Sequence, residues 1–217
     1  MKRPHVVLNA GMTLDGKIAS KSRDVEISCK EDLERVHEIR KGVDAIMVGI
    51  NTVLEDDPRL MVHKIPGEKE DNPLRVVVDS TARTPLDARV LSEEAKTVIG
   101  VSEAAEKDRI AGLEKKADVF VCGESKVDLK CLMEELYKRG VKTLLLEGGG
   151  TLNWGMLERG LVDVVKVAIS PTIVGGKDAL TLVEGEGFDK ISEGVKLKLE
   201  RHYPLGRDLI LEYEVLR

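Results

Sequence analysis

The chain has 217 residues, 42% of them hydrophobic and 34% charged, with a net charge of -5. That content suffices for one domain with a sizeable core, read here as spanning 1–217, and is too apolar for a disordered chain. No apolar run approaches the ~18 residues of a membrane helix, and six aromatics on an acidic chain do not suit a general nucleic-acid binder.

Met1-Lys2-Arg3-Pro4 leads into a short apolar run that soon meets Asn9, Asp15 and Lys17, unlike a secretory signal. His5 to Asn9 predicts a strand. Ser28 followed by Glu31 is a capping-box pattern that opens a helix over Lys30 to Lys41, with Leu33, Val36, Ile39 and Val43 as its apolar stripe. Asp44 to Gly49, Arg75 to Asp79 and Thr97 to Val101 read as buried strands, and the polar stretch His63 to Pro73 as a mobile surface excursion. A surface helix is expected over Glu103 to Lys116, a strand over Asp118 to Cys122, and an amphipathic helix over Asp128 to Arg139. Leu129, Leu132, Met133, Leu136 and Tyr137 share one face of that helix, and Gly140 stops it. Thr143 to Glu147 predicts a strand and Thr151 to Arg159 a helix. Val164 to Ser170, Lys196 to His202 and Leu209 to Val215 are then strands without helices between them, the last two joined at Pro204-Leu205-Gly206. A parallel α/β sheet therefore ends in an antiparallel hairpin.

Cys29, Cys122 and Cys131 are odd in number and form no Cys-x-x-Cys pair, which fits reduced thiols in a cytoplasmic protein. The four histidines lack metal-ligand spacing, so no metal is expected. The absence of Gln and the scarcity of Asn beside many Lys, Arg and Glu resemble thermophile composition.

The sharpest local signal is an apolar strand, Leu144 to Glu147, running into Gly148-Gly149-Gly150 and then a helix. Glycines let backbone N–H groups approach an anion, and a helix N-terminus adds partial positive charge, so a phosphate or pyrophosphate is the natural guest. The pattern is neither Gly-x-Gly-x-x-Gly nor a P-loop. A second glycine pair, Gly175-Gly176, could close over the same ligand or be a turn. Thr52 and Asp56, four apart after a strand, share a face if that turn is helical. Ser80-Thr81-Ala82-Arg83 emerges from a buried strand with hydroxyls and an arginine, a cluster suited to an exposed phosphate such as the 2′-phosphate of NADPH. Arg40 leans toward its helix's apolar stripe, where a cation snorkels, pairs with a carboxylate or reaches an anionic substrate.

Together these segments resemble the 2,5-diamino-6-ribosylamino-4(3H)-pyrimidinone 5′-phosphate reductase family of riboflavin biosynthesis in its stand-alone archaeal form. The matching stretches are Met12 to Ala19, Ile46 to Leu60, Val77 to Pro85, Glu147 to Asn153 and Pro171 to Gly176. The resemblance implies a dihydrofolate-reductase-like, three-layer α/β fold, mostly parallel with antiparallel C-terminal strands. It implies a homodimer and an oxidoreductase that takes a phosphorylated pyrimidine and NADPH, with NADH open as an alternative. Cofactor contacts are implied at Gly11, Thr52, Asp56, Ser80, Thr81, Ala82, Arg83, Val127, Gly149, Gly150, Thr151 and Leu152. Substrate contacts are implied at Asn9, Arg40, Leu60, His63 and Glu147, and Glu147 and Asp56 become the candidates for proton movement. His63 stands where bacterial relatives place Arg, and Asn9 where they place Lys. The sequence lacks the His-x-Glu and Pro-Cys-x-x-Cys signature of their deaminase domain, so deamination is not expected. A pterin or dihydrofolate reductase and a non-catalytic nucleotide-binding domain are the competing readings.

Overall fold

Short apolar runs become strands and the 3.6-periodic stretches become helices, in a computed structural model that describes residues 2–217. In chain order the elements are β1 (His5–Thr13), α1 (Lys30–Lys41), β2 (Ala45–Gly49), α2 (Ile50–Asp56), β3 (Leu74–Val78) and β4 (Thr97–Val101). There follow α3 (Lys107–Leu113), β5 (Asp118–Val121), α4 (Leu129–Lys138), β6 (Thr143–Gly148) and α5 (Gly150–Glu158). Three strands complete the chain: β7 (Val164–Ser170), β8 (Leu197–Leu205) and β9 (Asp208–Val215). The nine strands make one mixed sheet in the order β5-β4-β3-β2-β6-β1-β7-β9-β8. β2 to β5 pair in parallel, as do β1 and β7, whereas β7–β9 and β9–β8 pair antiparallel. The chain divides into two compact units, one comprising His37–Leu145 with the residues up to His5, the other Val6–Val36 with Leu146–Arg217.

In the first unit the parallel strands are covered on both faces, which is why β2, β3 and β4 are buried along nearly their whole length and are mostly apolar. Asp128 caps α4 by accepting from the Lys130 and Cys131 amides, and Leu132, Met133 and Leu136 on its inner face are fully buried. Within this core lies Arg75, 0% exposed. Its guanidinium donates to Thr97 Oγ1 (3.0 Å), Ser92 Oγ (3.0 Å) and Arg89 O (3.2 Å), and also to the carbonyls of Ser92 and Ala95. Burial lowers its pKa to about 10. A cation here organises the Arg89–Thr97 connection through neutral acceptors. The expected helix from Glu103 shortens to α3 because its first residues bond elsewhere: the amides of Glu103 and Ala104 donate to Gly123 O and Glu124 O, both at 2.9 Å. In the polar stretch after His63, a 3-10 turn spans Lys69–Asp71, and Asn72 Oδ1 accepts from the Val62 amide at 2.9 Å.

In the second unit β1 extends four residues beyond Asn9, because its pairing with β7 continues from Val7↔Val164 to Thr13↔Ser170. The expected turn at Pro204 also moves: Pro204 and Leu205 pair with Leu209 and Asp208, and the chain reverses at Gly206-Arg207. Proline is tolerated there because β8 is the sheet's edge.

The burial of α1 reverses the expectation. Leu33, on the apolar stripe, is 37% exposed, whereas Asp32 is 0% and His37 is 3% exposed. The inward polar groups are satisfied in part, while Asp32 Oδ2 and Arg35 Nη1 have no hydrogen-bond partner. Asp32 Oδ1 accepts from Arg35 Nε at 2.8 Å, and Arg35 Nη2 donates to Asn9 Oδ1 at 2.9 Å.

Candidate active site

In the first unit, three connections that follow β-strands carry the predicted residues. α2 starts directly after β2, so Thr52 and Asp56 lie four apart on a true helix, which Asp57 closes in a left-handed conformation (φ 40°). Asp56 is exposed, and its pKa is raised, first by desolvation and then by neighbouring Glu55. After β3 the chain folds on itself: Asp79 Oδ2 accepts from both the amide and the hydroxyl of Thr84 at 2.7 Å. That closure buries Ala82 and leaves Thr81 and Arg83 exposed. Arg83 Nη2 is braced by Asn51 Oδ1 at 3.0 Å, and Ser80 Oγ accepts from the Val127 amide at 3.1 Å. Ser80, Arg83, Val127 and the start of α2 thus come together as one hydroxyl-and-guanidinium surface.

The same unit holds Arg40, Leu60 and His63. Arg40 Nη1 donates to Met61 O at 3.1 Å, and His63 Nδ1 lies 3.2 Å from the same carbonyl. Leu60 is buried with a positive φ of 51°, so its side chain belongs to the core and its backbone is what it can offer a ligand.

In the second unit, Glu147 is half-buried near the end of β6, and the Gly148-Gly149 peptide bond is cis. Gly148 has φ +86°, and a Cβ there would lie 2.8 Å from Asn153 Oδ1, so no other residue fits. Asn153 is buried and donates from Nδ2 to Leu182 O at 2.8 Å, while its Oδ1 has no hydrogen-bond partner. α5 begins at Gly150 with Gly149 as its N-cap, and no side-chain cap satisfies the amides of its first turn. Thr151 is exposed there and Leu152 is mostly buried. At Gly150 a Cβ would lie 2.7 Å from both Thr181 O and Glu184 Cγ, so close packing requires glycine there.

Gly11 lies on β1, where a Cβ would collide with Ser28 Oγ. Asn9 is buried, and Arg35 engages its carbonyl oxygen, which turns the amide's NH2 into the group left to donate. The second glycine pair is held by a carboxylate of the chain itself: Asp15 accepts from Gly175 N (2.7 Å), Val174 N (3.2 Å) and the Thr13 hydroxyl (2.6 Å). Those bonds, the Thr13 hydroxyl foremost, lower the Asp15 pKa to about 2.

His37, Arg35, Asp32 and Asp15 were not picked out as site residues from the sequence. The available signal for His37 was its position three residues before Arg40, which places both on one helix face. The three cysteines are thiols. Burial pushes Cys122, whose sulfur faces that of Cys131, up to about 12. Among the described residues, no helix is long and apolar enough to cross a membrane.

Residues 4–211 match the RibD C-terminal domain. The chain belongs to that family. Within it, the chain is 60% identical to the 2,5-diamino-6-ribosylamino-4(3H)-pyrimidinone 5′-phosphate reductase of Methanothermobacter thermautotrophicus, over 98% of this chain and 99% of that one. The reductase of the same name from Archaeoglobus fulgidus is 46% identical over 87% of this chain and 90% of its own length. Among solved structures, the diaminohydroxyphosphoribosylaminopyrimidine deaminase/5-amino-6-(5-phosphoribosylamino)uracil reductase of Thermotoga maritima superposes with a TM-score of 0.81 at 28% identity. That match covers 99% of this chain and 57% of the larger protein. Outside the RibD C-terminal domain family, Enterococcus faecalis dihydrofolate reductase shares the fold, with a TM-score of 0.58 at 11% identity over 98% of this chain and 97% of that one.

Proposed function

We propose that this chain reduces the ribosylamino side chain of 2,5-diamino-6-ribosylamino-4(3H)-pyrimidinone 5′-phosphate to the ribitylamino form, as a step of riboflavin biosynthesis, with NADPH as reductant. The observation that carries this reading is the 60% identity, over nearly both full lengths, to a reductase of that name.

The residues present suit a nicotinamide dinucleotide. The first-turn amides of α5 offer donors for a pyrophosphate, and the orphaned Asn153 Oδ1 marks a polar lining beside them. Ser80, Thr81 and Arg83 suit a 2′-phosphate, which makes NADPH the preferred donor and NADH a poorer one. Gly11, Thr52, Ala82, Val127 and Leu152 complete this cofactor set.

Once bound, the dinucleotide supplies a hydride; the chain supplies position and charge. The ribosylamine opens to an imine, whose C1′ accepts the hydride and whose nitrogen accepts a proton, so one C=N π bond becomes a C–H and an N–H. Arg40 anchors the 5′-phosphate, with His63 and the Leu60 backbone beside it. Glu147 and the Asn9 amide hold the amino-pyrimidine. Asp56, whose raised pKa favours holding a proton, and Glu147 are the groups suited to deliver it.

The same reading places the protein in the cytoplasm as a homodimer. Its support is an exposed apolar face on β8 and β9. Leu199 pairs with Tyr213 and Leu197 with Val215, so all four point to one side, and Leu197, Leu199 and Leu209 are all exposed. A second copy of this chain is the occupant that face fits.

The test supplies the pyrimidine phosphate with NADPH or NADH, following 340 nm absorbance and product mass. The expected product gains two hydrogens and keeps its nitrogens. Intact NADPH binding without turnover would instead make this a binding module, and reduction of a pterin in place of the pyrimidine would reassign the substrate.

A further inference from the structure

His37 is not among the residues that the family resemblance implied, yet it is the most enclosed titratable group beside Arg40 and His63. It sits on α1 at 3% exposure, its ring packed edge to face against His63 with centroids 4.4 Å apart. Its Nδ1 lies 3.0 Å from the His63 amide nitrogen and 3.4 Å from that of Lys64. Two N–H groups aimed at one ring nitrogen require a lone pair there, so the neutral ring carries its proton on Nε2. Nε2 in turn is 3.4 Å from Arg40 Nη1. With a proton on Nε2, both groups are donors and no hydrogen bond forms between them. The guanidinium is directed instead to Met61 O at 3.1 Å.

We infer that His37 is a positioning residue for the substrate's phosphate: as a fixed neutral acceptor it pins the backbone of His63 and Lys64, and through that segment it sets where Arg40 and His63 present their charge. The inference rests on the assignment of Arg40 and His63 to the substrate under the proposed function.

A protonated imidazole could not fill this place. It would lose both amide bonds and put a second positive charge beside Arg40. Accordingly the His37 pKa is lowered to about 3, by burial first and then by Arg40, His63 and Lys64. The ring therefore stays neutral across the physiological range and acts as a permanent brace. The arrangement closes on itself: α1 supplies both His37 and Arg40, and the Met61–Lys64 segment supplies a carbonyl to Arg40 and two amides to His37. A histidine that merely filled the core would not need an acceptor turned to two consecutive amides.

The experiment compares His37→Asn, His37→Gln, His37→Leu and Arg40→Ala by steady-state kinetics with the pyrimidine phosphate and NADPH. Asparagine places its Oδ1 near the position of Nδ1 and keeps the acceptor; leucine fills similar space without one; glutamine carries its oxygen one methylene too far. His37→Leu is expected to raise KM for the pyrimidine phosphate at least about tenfold, with kcat and the KM for NADPH little changed. His37→Asn is expected to recover most of that loss. If His37→Leu does not fold, the comparison of Asn with Gln decides: Gln raises KM, Asn does not. Equal KM values for Asn and Gln, or a leucine variant with lowered melting temperature and unchanged KM, overturn the inference. If Arg40→Ala itself leaves KM for the phosphorylated substrate unchanged, the assignment of the substrate site has failed instead.

Discussion

At the scale of single residues, the proposed function makes Arg83 the residue expected to set cofactor choice. It is exposed, braced by Asn51 and set beside the hydroxyls of Ser80 and Thr81. A charge-assisted contact to a phosphate contributes about 1.5–3 kcal/mol, so Arg83→Ala should raise KM for NADPH roughly ten- to a hundredfold while changing KM for NADH little. Parallel titrations with the two dinucleotides check this, and an equal effect on both would remove the 2′-phosphate from the account. Asp15 makes a pH prediction. Its carboxyl moves from 3.8 to about 2 on folding, through the Thr13 hydroxyl and the Gly175 and Val174 amides. The unfolded chain thus holds the proton more readily, and the contribution of Asp15 to stability is complete above pH 3.8 and lost as pH falls towards 2. Denaturant midpoints measured across that window should fall less steeply for Asp15→Ala than for the parent chain.

At the scale of elements, Arg75 shows how a charge can serve a connection. Its five donor contacts all end on neutral oxygens of the Arg89–Thr97 segment, which leads into β4. Arg75→Leu fits an apolar strand but leaves those acceptors buried without donors, at about 1–3 kcal/mol for each that finds no water, so a loss of about 3 kcal/mol or more is expected. Urea unfolding with a two-state fit measures it; a change below about 1 kcal/mol would mean that water replaces the guanidinium. α1 teaches the complementary lesson. Its hydrophobic spacing was legible, but the residues it buries are Asp32 and His37: Arg35 and His37 find partners outside the helix, and Asp32 pairs with Arg35. Periodicity reports which residues share a face; partners decide which face turns inward.

At the scale of the whole molecule, the edge hairpin is where assembly is expected. Leu199→Glu puts a charge into the exposed apolar face of β8 and β9 without touching the described polar groups. Light scattering after size exclusion should give a dimer for the parent chain and a monomer for the variant, since a buried uncompensated carboxylate opposes association by several kcal/mol. A parent chain that runs as a monomer at micromolar concentration would remove the dimer from the account.

The order of strands and helices, the switch from parallel to antiparallel pairing, and the glycine-rich turn after β6 were all readable from the sequence. They are set by local periodicity and by residues that permit or forbid particular backbone angles. So was the family, because its signature lies in short stretches spread along the whole chain. Only the tertiary structure decided that close packing demands glycine at 150, that Leu60 turns its side chain into the core, that Asp15 occupies the amides of Val174 and Gly175, and that His37 accepts from the His63 amide. The physical reason is common to all four. Each depends on an atom brought close by residues distant in sequence, and whether an amide, a carboxylate or an imidazole nitrogen is engaged is a property of that neighbour and not of the local chain.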